Sequence, residues 1–272
     1  MVLKPQRAHR KIELTLSQNL CANDFEDLRR GKMKHLSILV VVLTCLLSGS
    51  ASAIDTDAEQ NGREGLEALR AGDQEKFFEH ALKDAEGGLA EAQLMVASQY
   101  EKGALGAPQS NSKALYWYER AAAQGQPEAE VHMAEICIQG KLKPRDLPAS
   151  VDWLKKAASH GSAKANDYLG DSYLSGRGVE KNMKAAIPYY KKAANANVVG
   201  AQVKLGGFYL TGNGVPADVN ESYFWLYIAS KNPAKSPYKG LKEAAEGIRK
   251  KLSPEVALEV EKRADTLIAS FP

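Results

Sequence analysis

Trp117, Trp153, Tyr189 and Trp225 recur at intervals of 36 residues, and Ala121, Ala157, Ala193 and Ala229 keep the same step. Gly140, Gly176 and Gly212 do so too, after a first step of 37 from Gly103. A fixed period of this length confines the chain to repeat architectures, in which each unit buries its apolar face only against its neighbours. Four copies can be laid out over 90–126, 127–162, 163–198 and 199–233, with the extra residue in the turn 103–108 of the first. Upstream, 54–89 reads as a degenerate copy, since Ala85 lies 36 before Ala121. Downstream the period stops, and 234–272 reads as capping helices over 238–251 and 255–268, with Ser253-Pro254-Glu255 as the second helix start.

Within a copy, Ala201, Leu205 and Tyr209, matched by Ala165, Leu169 and Tyr173, fall at i, i+4 and i+8 and share one helix face. The small column Ala97, Ala134, Gly170 and Gly206 lets a second helix approach closely. Ser-Gly-Arg-Gly-Val at 175–179 and Thr-Gly-Asn-Gly-Val at 211–215 supply residues suited to positive φ, so Gly176, Gly178, Gly212 and Gly214 are expected to end one helix and turn the chain. Seven residues before each aromatic marker stand Ser110, Asp146, Asn182 and Asp218, the side-chain types that cap helix N-termini. The second helix is expected to bury its marker, Trp117, Trp153, Tyr189 or Trp225, together with the alanines. The expected fold is therefore all-α, a right-handed solenoid of antiparallel helix pairs. An alanine-rich sequence with only 7% aromatic residues agrees with it and disfavours a β-sandwich.

The formal charge of +3 comes from the first 53 residues, which hold eight Lys/Arg against four Asp/Glu. The remainder carries 28 basic and 29 acidic residues, so net charge makes no case for nucleic-acid binding. From Met33 the chain reads as a basic start, an apolar run over 36–47 and a small-residue end at Ala-Ser-Ala, which predicts a signal peptide over 33–53 cleaved after Ala53. The run falls short of the roughly 20 residues of a membrane span. A periplasmic or secreted protein without stable membrane insertion after cleavage is expected, with 1–32 a mis-assigned extension. Cys21 and Cys45 leave with the leader, and Cys137 is expected to be a buried apolar residue.

Leu169-Gly170, Tyr173, Gly176-Arg-Gly-Val179, Lys184-Ala185, Tyr189 and Lys192-Ala193-Ala194 resemble the pattern of the Sel1-like repeat family, relatives of the tetratricopeptide repeat with a Gly-x-Gly-Val turn. The fourth copy matches through Leu205-Gly206, Tyr209, Gly212-Asn-Gly-Val215, Asp218 and Trp225, whereas the first two depart in the turn. The resemblance implies an adaptor that binds a partner protein on the concave face of the solenoid at the bacterial envelope. Some similar exported members act as immunity proteins against phospholipase or other effectors; others serve envelope assembly, signalling or host contact.

If the buried face of the first helix holds Ala201, Leu205 and Tyr209, the positions equivalent to 203, 204 and 207 point away. They give Val131, His132, Glu135, Asp167, Tyr168, Asp171, Val203 and Lys204 as the expected groove, with Glu135, Asp167 and Asp171 making its middle acidic and suited to a basic partner. Tyr223 to Tyr227 forms a second aromatic cluster, expected to pack under the capping helices.

Enzymatic chemistry is the competing class, because a cysteine-rich branch of the family is associated with β-lactam binding. Ser110 to Lys113 and Ser236 to Lys239 match S-x-x-K, but the companion S-D-N and K-T-G elements and the paired cysteines are missing. A β-lactamase-like hydrolase or a β-lactam or peptidoglycan binder is thus the alternative to a non-enzymatic scaffold. His80, His132 and His160 form no H-E-x-x-H or Cys/His pattern, and no phosphate loop occurs, so no metal and no cofactor are expected.

Overall fold

The computed structural model describes residues 56–231 and 240–271. The expected leader and the extension before it lie outside these residues, as do Ser236 and Lys239. The described residues form twelve helices: α1 Thr56–Arg70, α2 Gln74–Glu86, α3 Ala90–Lys102, α4 Asn111–Ala123, α5 Pro127–Gln139, α6 Leu147–Ser159, α7 Ala163–Ser175, α8 Met183–Asn195, α9 Val199–Thr211, α10 Val219–Ser230, α11 Leu241–Arg249 and α12 Pro254–Ala269. None is long and apolar enough to cross a membrane.

The chain divides into a unit ending at His80 and a unit from Ala81 onward. In the first, the Asn61 side chain donates to the His80 carbonyl at 2.9 Å and pins α1 to α2. In the second, α3–α4, α5–α6, α7–α8 and α9–α10 pair, and each second helix also packs on the first helix of the next pair. This is the solenoid of helix pairs that the period requires.

Every helix pair is closed by the same backbone bond. The amides of Ser110, Asp146, Asn182 and Asp218 donate to the carbonyls of Tyr100, Cys137, Tyr173 and Tyr209 at 2.8, 2.9, 2.8 and 2.8 Å. Their side chains accept from amides in the first turn of the following helix, which satisfies donors that a helix N-terminus leaves free. Gly176 and Gly212 end α7 and α9 in the left-handed region, each at φ 75°. Gly178 meets two demands at once, because its φ is 74° and a Cβ there would collide with the Leu147 carbonyl oxygen. Gly214, at φ 75°, sits over Met183, whose side chain a Cβ there would meet at 2.7 Å. The first copy keeps two turn glycines, Gly103 at φ 63° and Gly106 at φ 82°, and in its one-residue-longer turn Leu105 also takes up φ 52° while its side chain is buried.

Ala121, Ala157, Ala193 and Ala229 are fully buried, and so is Cys137. The aromatic markers divide: Trp117 and Trp225 are buried, whereas Trp153 and Tyr189 are half-buried at the rim. Lys156 lies over Trp153 at 4.2 Å, and Tyr173 stacks on Tyr189 at 5.4 Å. The column that fills each pair is the next residue, Tyr118, Leu154, Tyr190 and Leu226. In the third and fourth pairs this side chain lies directly over the small column, Tyr190 against Gly170 and Leu226 against Gly206. The expectation that all four markers are core is corrected by this one-residue rotation of the second helix.

At the C-terminal end α11 and α12 cover the last pair. Tyr223 is buried and donates to Glu261 at 2.6 Å, Tyr227 donates to Asp265 at 3.3 Å, and Arg263 lies 4.0 Å from the centre of the Phe224 ring. The aromatic cluster of α10 is thus consumed by packing.

Candidate partner-binding face

Successive first helices α5, α7 and α9 bring six of the eight predicted groove residues into two linked clusters, and His132 also joins them to the first pair. Tyr118 donates to Glu101 at 2.8 Å, and its ring stacks on His132 at 5.1 Å. His132 Nδ1 lies 3.4 Å from Glu135, which also accepts from Tyr168 at 2.9 Å and from Lys164 at 2.7 Å. One pair further on, the Lys204 ammonium reaches Asp167 at 3.0 Å and Asp171 at 2.6 Å, and it lies 4.9 Å from the centre of the Tyr190 ring. Tyr190 in turn donates to Asp171 at 2.6 Å. Most of these bonds cross from one repeat to the next, so the stacking that builds the solenoid also orders the face.

The electrostatics follow from the pairing. The His132 hydrogen bond, aided by Lys164 and Tyr168, outweighs burial and holds the Glu135 carboxyl down at about 2. Burial, strengthened by neighbouring Asp171, raises Asp167 above its ordinary value in spite of Lys204. For Lys204 burial works downward, but Asp171 and Asp167 together hold it above the usual lysine range. Burial and then Glu135 push the Tyr168 hydroxyl up to about 12.

The expected acidic groove is therefore revised, since Glu135, Asp167 and Asp171 carry Lys164 and Lys204 as built-in counter-ions. Val131 is also not part of the face; it is buried with Val151 and Leu154. What stays accessible is polar and fixed: His132 and Asp171 keep 40% and 43% of their side-chain surface. Gly207 occupies the position of Glu135 and Asp171 in the fourth repeat, is exposed, and has open space above it.

Two features escaped the sequence reading. Lys164 stands in the second position of its repeat, outside the columns assigned to the face, and only the step from one repeat to the next places it against Glu135. The second is a buried polar column, Gln93, Glu130, Asn166 and Gln202. Gln93 donates to the Ala85 carbonyl at 3.0 Å and Gln202 to the Ala194 carbonyl at 3.1 Å, each tying down the last turn of the preceding helix. Glu130 instead lies 2.8 Å from His160 Nδ1.

The competing chemistry finds no support at Ser110. Its hydroxyl accepts from the Lys113 amide at 3.4 Å as a helix cap, while the Lys113 ammonium lies over the Tyr100 ring at 5.0 Å. Among the described residues no group of three His, Cys, Asp or Glu side chains gathers at metal-binding distance.

The Sel1 repeat model matches residues 90–126, 127–162, 163–198 and 199–233, just over half of the chain. Among solved structures, a Sel1 repeat protein from Oxalobacter formigenes is 33% identical over 65% of this chain and 50% of its own, with a TM-score of 0.60. A protective antigen of uropathogenic Escherichia coli with an SLR fold is 30% identical over 72% of this chain and 41% of its own, with a TM-score of 0.61. The chain thus spans half or less of the length of these relatives. An immunity protein from Pseudomonas aeruginosa is 20% identical over 80% of this chain and 82% of its own at a TM-score of 0.45, too distant to bear on function. No curated protein gives a significant match.

Proposed function

This chain belongs to the Sel1 repeat family, and on that premise we propose that it is a non-enzymatic scaffold that binds a partner protein along its row of first helices. The partner meets His132, Glu135, Asp167, Tyr168, Asp171 and Lys204. The observation that carries the reading is the cross-repeat network: side chains already ordered by their neighbours lose little entropy on binding, which is where much of the cost of association lies. We place this scaffold in the bacterial envelope, exported by the leader over 33–53. Immunity against a secreted effector such as a phospholipase is the narrower version, and it rests on the family resemblance alone.

Glu135 and Asp171 are poor probes of the reading, because reversing their charge would dismantle the network that orders the face. Gly207→Arg is the better probe, since it adds bulk on the exposed side of α9 with no atom within 4 Å of the new Cβ. Crosslinking and affinity capture from the native envelope should recover one dominant partner with the parent protein and lose it with Gly207→Arg, while the melting temperature holds. Equal capture by both proteins would count against the first-helix face, and hydrolysis of a chromogenic β-lactam that Ser110→Ala abolishes would overturn the scaffold reading itself.

A further inference from the structure

Stacking of the turns gathers cations that are scattered in the sequence. Lys141, Lys143 and Arg145 lie between α5 and α6; Arg177 and Lys181 lie between α7 and α8, and Lys184 follows in the first turn of α8. The turn after α7 packs on the start of α6, because a Cβ on Gly178, next to Arg177, would meet the carbonyl of Leu147, two residues after Arg145, and the Val151 side chain. All of these cations are exposed except half-exposed Lys143, and none forms an ion pair with a described residue. The acids among them are Glu180 and Asp146, and Asp146 is occupied in capping α6.

The concentration is local. The turn of the first repeat, 103–109, holds no charged residue, and that of the fourth, 212–218, holds only Asp218. Adjacent helices lie about 8–10 Å apart, close to the Debye length of about 8 Å at physiological salt, so the potentials of the two turns add. On the first-helix face every lysine of the network is spent on a carboxylate; at this edge six cations stand against two acids.

We propose that this edge docks the protein peripherally on an anionic lipid surface. Lysine is depleted at the centres of protein interfaces, and the cations at this edge, unlike those of the first-helix face, carry no built-in counter-ion among the described residues. Among the described residues the large exposed apolar side chains are Tyr116, Leu210, Val219 and Leu258, and none stands among these cations. A cluster of long cations whose apolar neighbours, Leu142 and Val179, are only half-exposed fits a dense sheet of negative headgroups, to which each Lys or Arg adds about fivefold in partitioning. The edge lies at helix ends and the partner-binding row along the helices, so both can be occupied together. This proposal does not rest on the scaffold reading.

The test is co-sedimentation of the full chain with vesicles of phosphatidylcholine alone and of phosphatidylcholine mixed equally with phosphatidylglycerol. The deciding readout is the difference between variants, which share the same N-terminal residues. Lys141→Glu/Arg145→Glu/Arg177→Glu is expected to lower partitioning onto the mixed vesicles by at least about a hundredfold, and raising salt from about 0.1 to 1 M to remove the difference as the Debye length falls from about 10 to 3 Å. Lys250→Glu/Lys251→Glu/Lys262→Glu changes net charge equally at α11 and α12 and is expected to stay near the parent. Circular dichroism verifies that both variants are folded. Parent-like binding by the first variant, or equal losses by both, overturns the proposal. Tighter binding to soluble polyglutamate than to the mixed vesicles overturns the lipid assignment in favour of an acidic protein.

Discussion

Gly170→Ala tests whether the small column is set by contact rather than by chance. In an ordinary helix position the change gains about 1 kcal/mol of helix propensity. Here the new Cβ would lie 2.6, 2.7 and 2.8 Å from three ring atoms of Tyr190, well inside the roughly 3.5–4.0 Å of a relaxed carbon contact. The ring has little room to retreat, because Tyr190 is fully buried, its hydroxyl is held by Asp171 at 2.6 Å, and Phe208 lies against it at 5.6 Å. Overpacking costs about 1–3 kcal/mol, and displacing the ring also threatens a hydrogen bond to a carboxylate worth about 1.5–3 kcal/mol. Net of the propensity gain, destabilisation of about 2 kcal/mol is expected, a fall in Tm of about 4–8 °C for a unit of this size. Gly207→Ala, exposed and unobstructed one residue past the equivalent position in α9, should instead raise Tm by about 2–4 °C. Tyr190→Leu should rescue Gly170→Ala, because the second repeat already combines Ala134 with Leu154. Thermal melts that show Gly170→Ala as stable as Gly207→Ala would refute the argument.

Acid should weaken the network. A carboxyl held at about 2 when folded and near 4.5 when free contributes stability that is complete above pH 4.5 and lost as the pH falls toward 2. With solvent screening at this partly open site the contribution is about 1–2 kcal/mol, so Glu135→Gln should flatten the acid melting curve, and parallel curves would contradict the assignment. His160→Ala strands the Glu130 carboxylate and should cost about 1–3 kcal/mol, whereas adding Glu130→Gln, the residue type of the first and fourth repeats, should recover most of it in urea melts. Absence of coupling in that double-mutant cycle would dissolve the pair. Salt separates the two surfaces: capture of the protein partner should change little between low and high salt, since its face is neutralised internally, while vesicle binding collapses. A partner released as readily as lipid would show that charge, not shape, holds it.

The period of 36, the small column, the turn glycines and the four caps were legible because each is a one-residue requirement repeated in register. A helix stop needs positive φ, a cap needs a short oxygen-bearing side chain, and neither depends on what the neighbouring repeat contains. What stayed hidden depends on the step between repeats. Lys164 cannot be matched to Glu135 without knowing how far α7 advances past α5. Nor do Lys141 and Arg177, 36 residues apart, announce a shared edge. The column after each aromatic marker was missed for another reason: tyrosine and leucine alternate there, so no single letter repeats, yet all four side chains fill the same place.

The repeat thus separates two kinds of position on the first helix. Those that turn, cap and pack are held nearly constant, while the outward ones range over His132, Tyr168 and Lys204 in one column and Ser98, Glu135, Asp171 and Gly207 in the other. Free variation of this kind would ordinarily strand charges at partly buried sites, at a cost no small helix pair could absorb. The chain avoids that cost by placing the counter-ion on the following repeat, as Lys164 does for Glu135 and Lys204 does for Asp167 and Asp171. A face neutralised this way has no strong field with which to choose a partner. It offers instead hydroxyls, an imidazole and a carboxylate oxygen at spacings fixed by the solenoid, so recognition must come from the match of polar groups and shape.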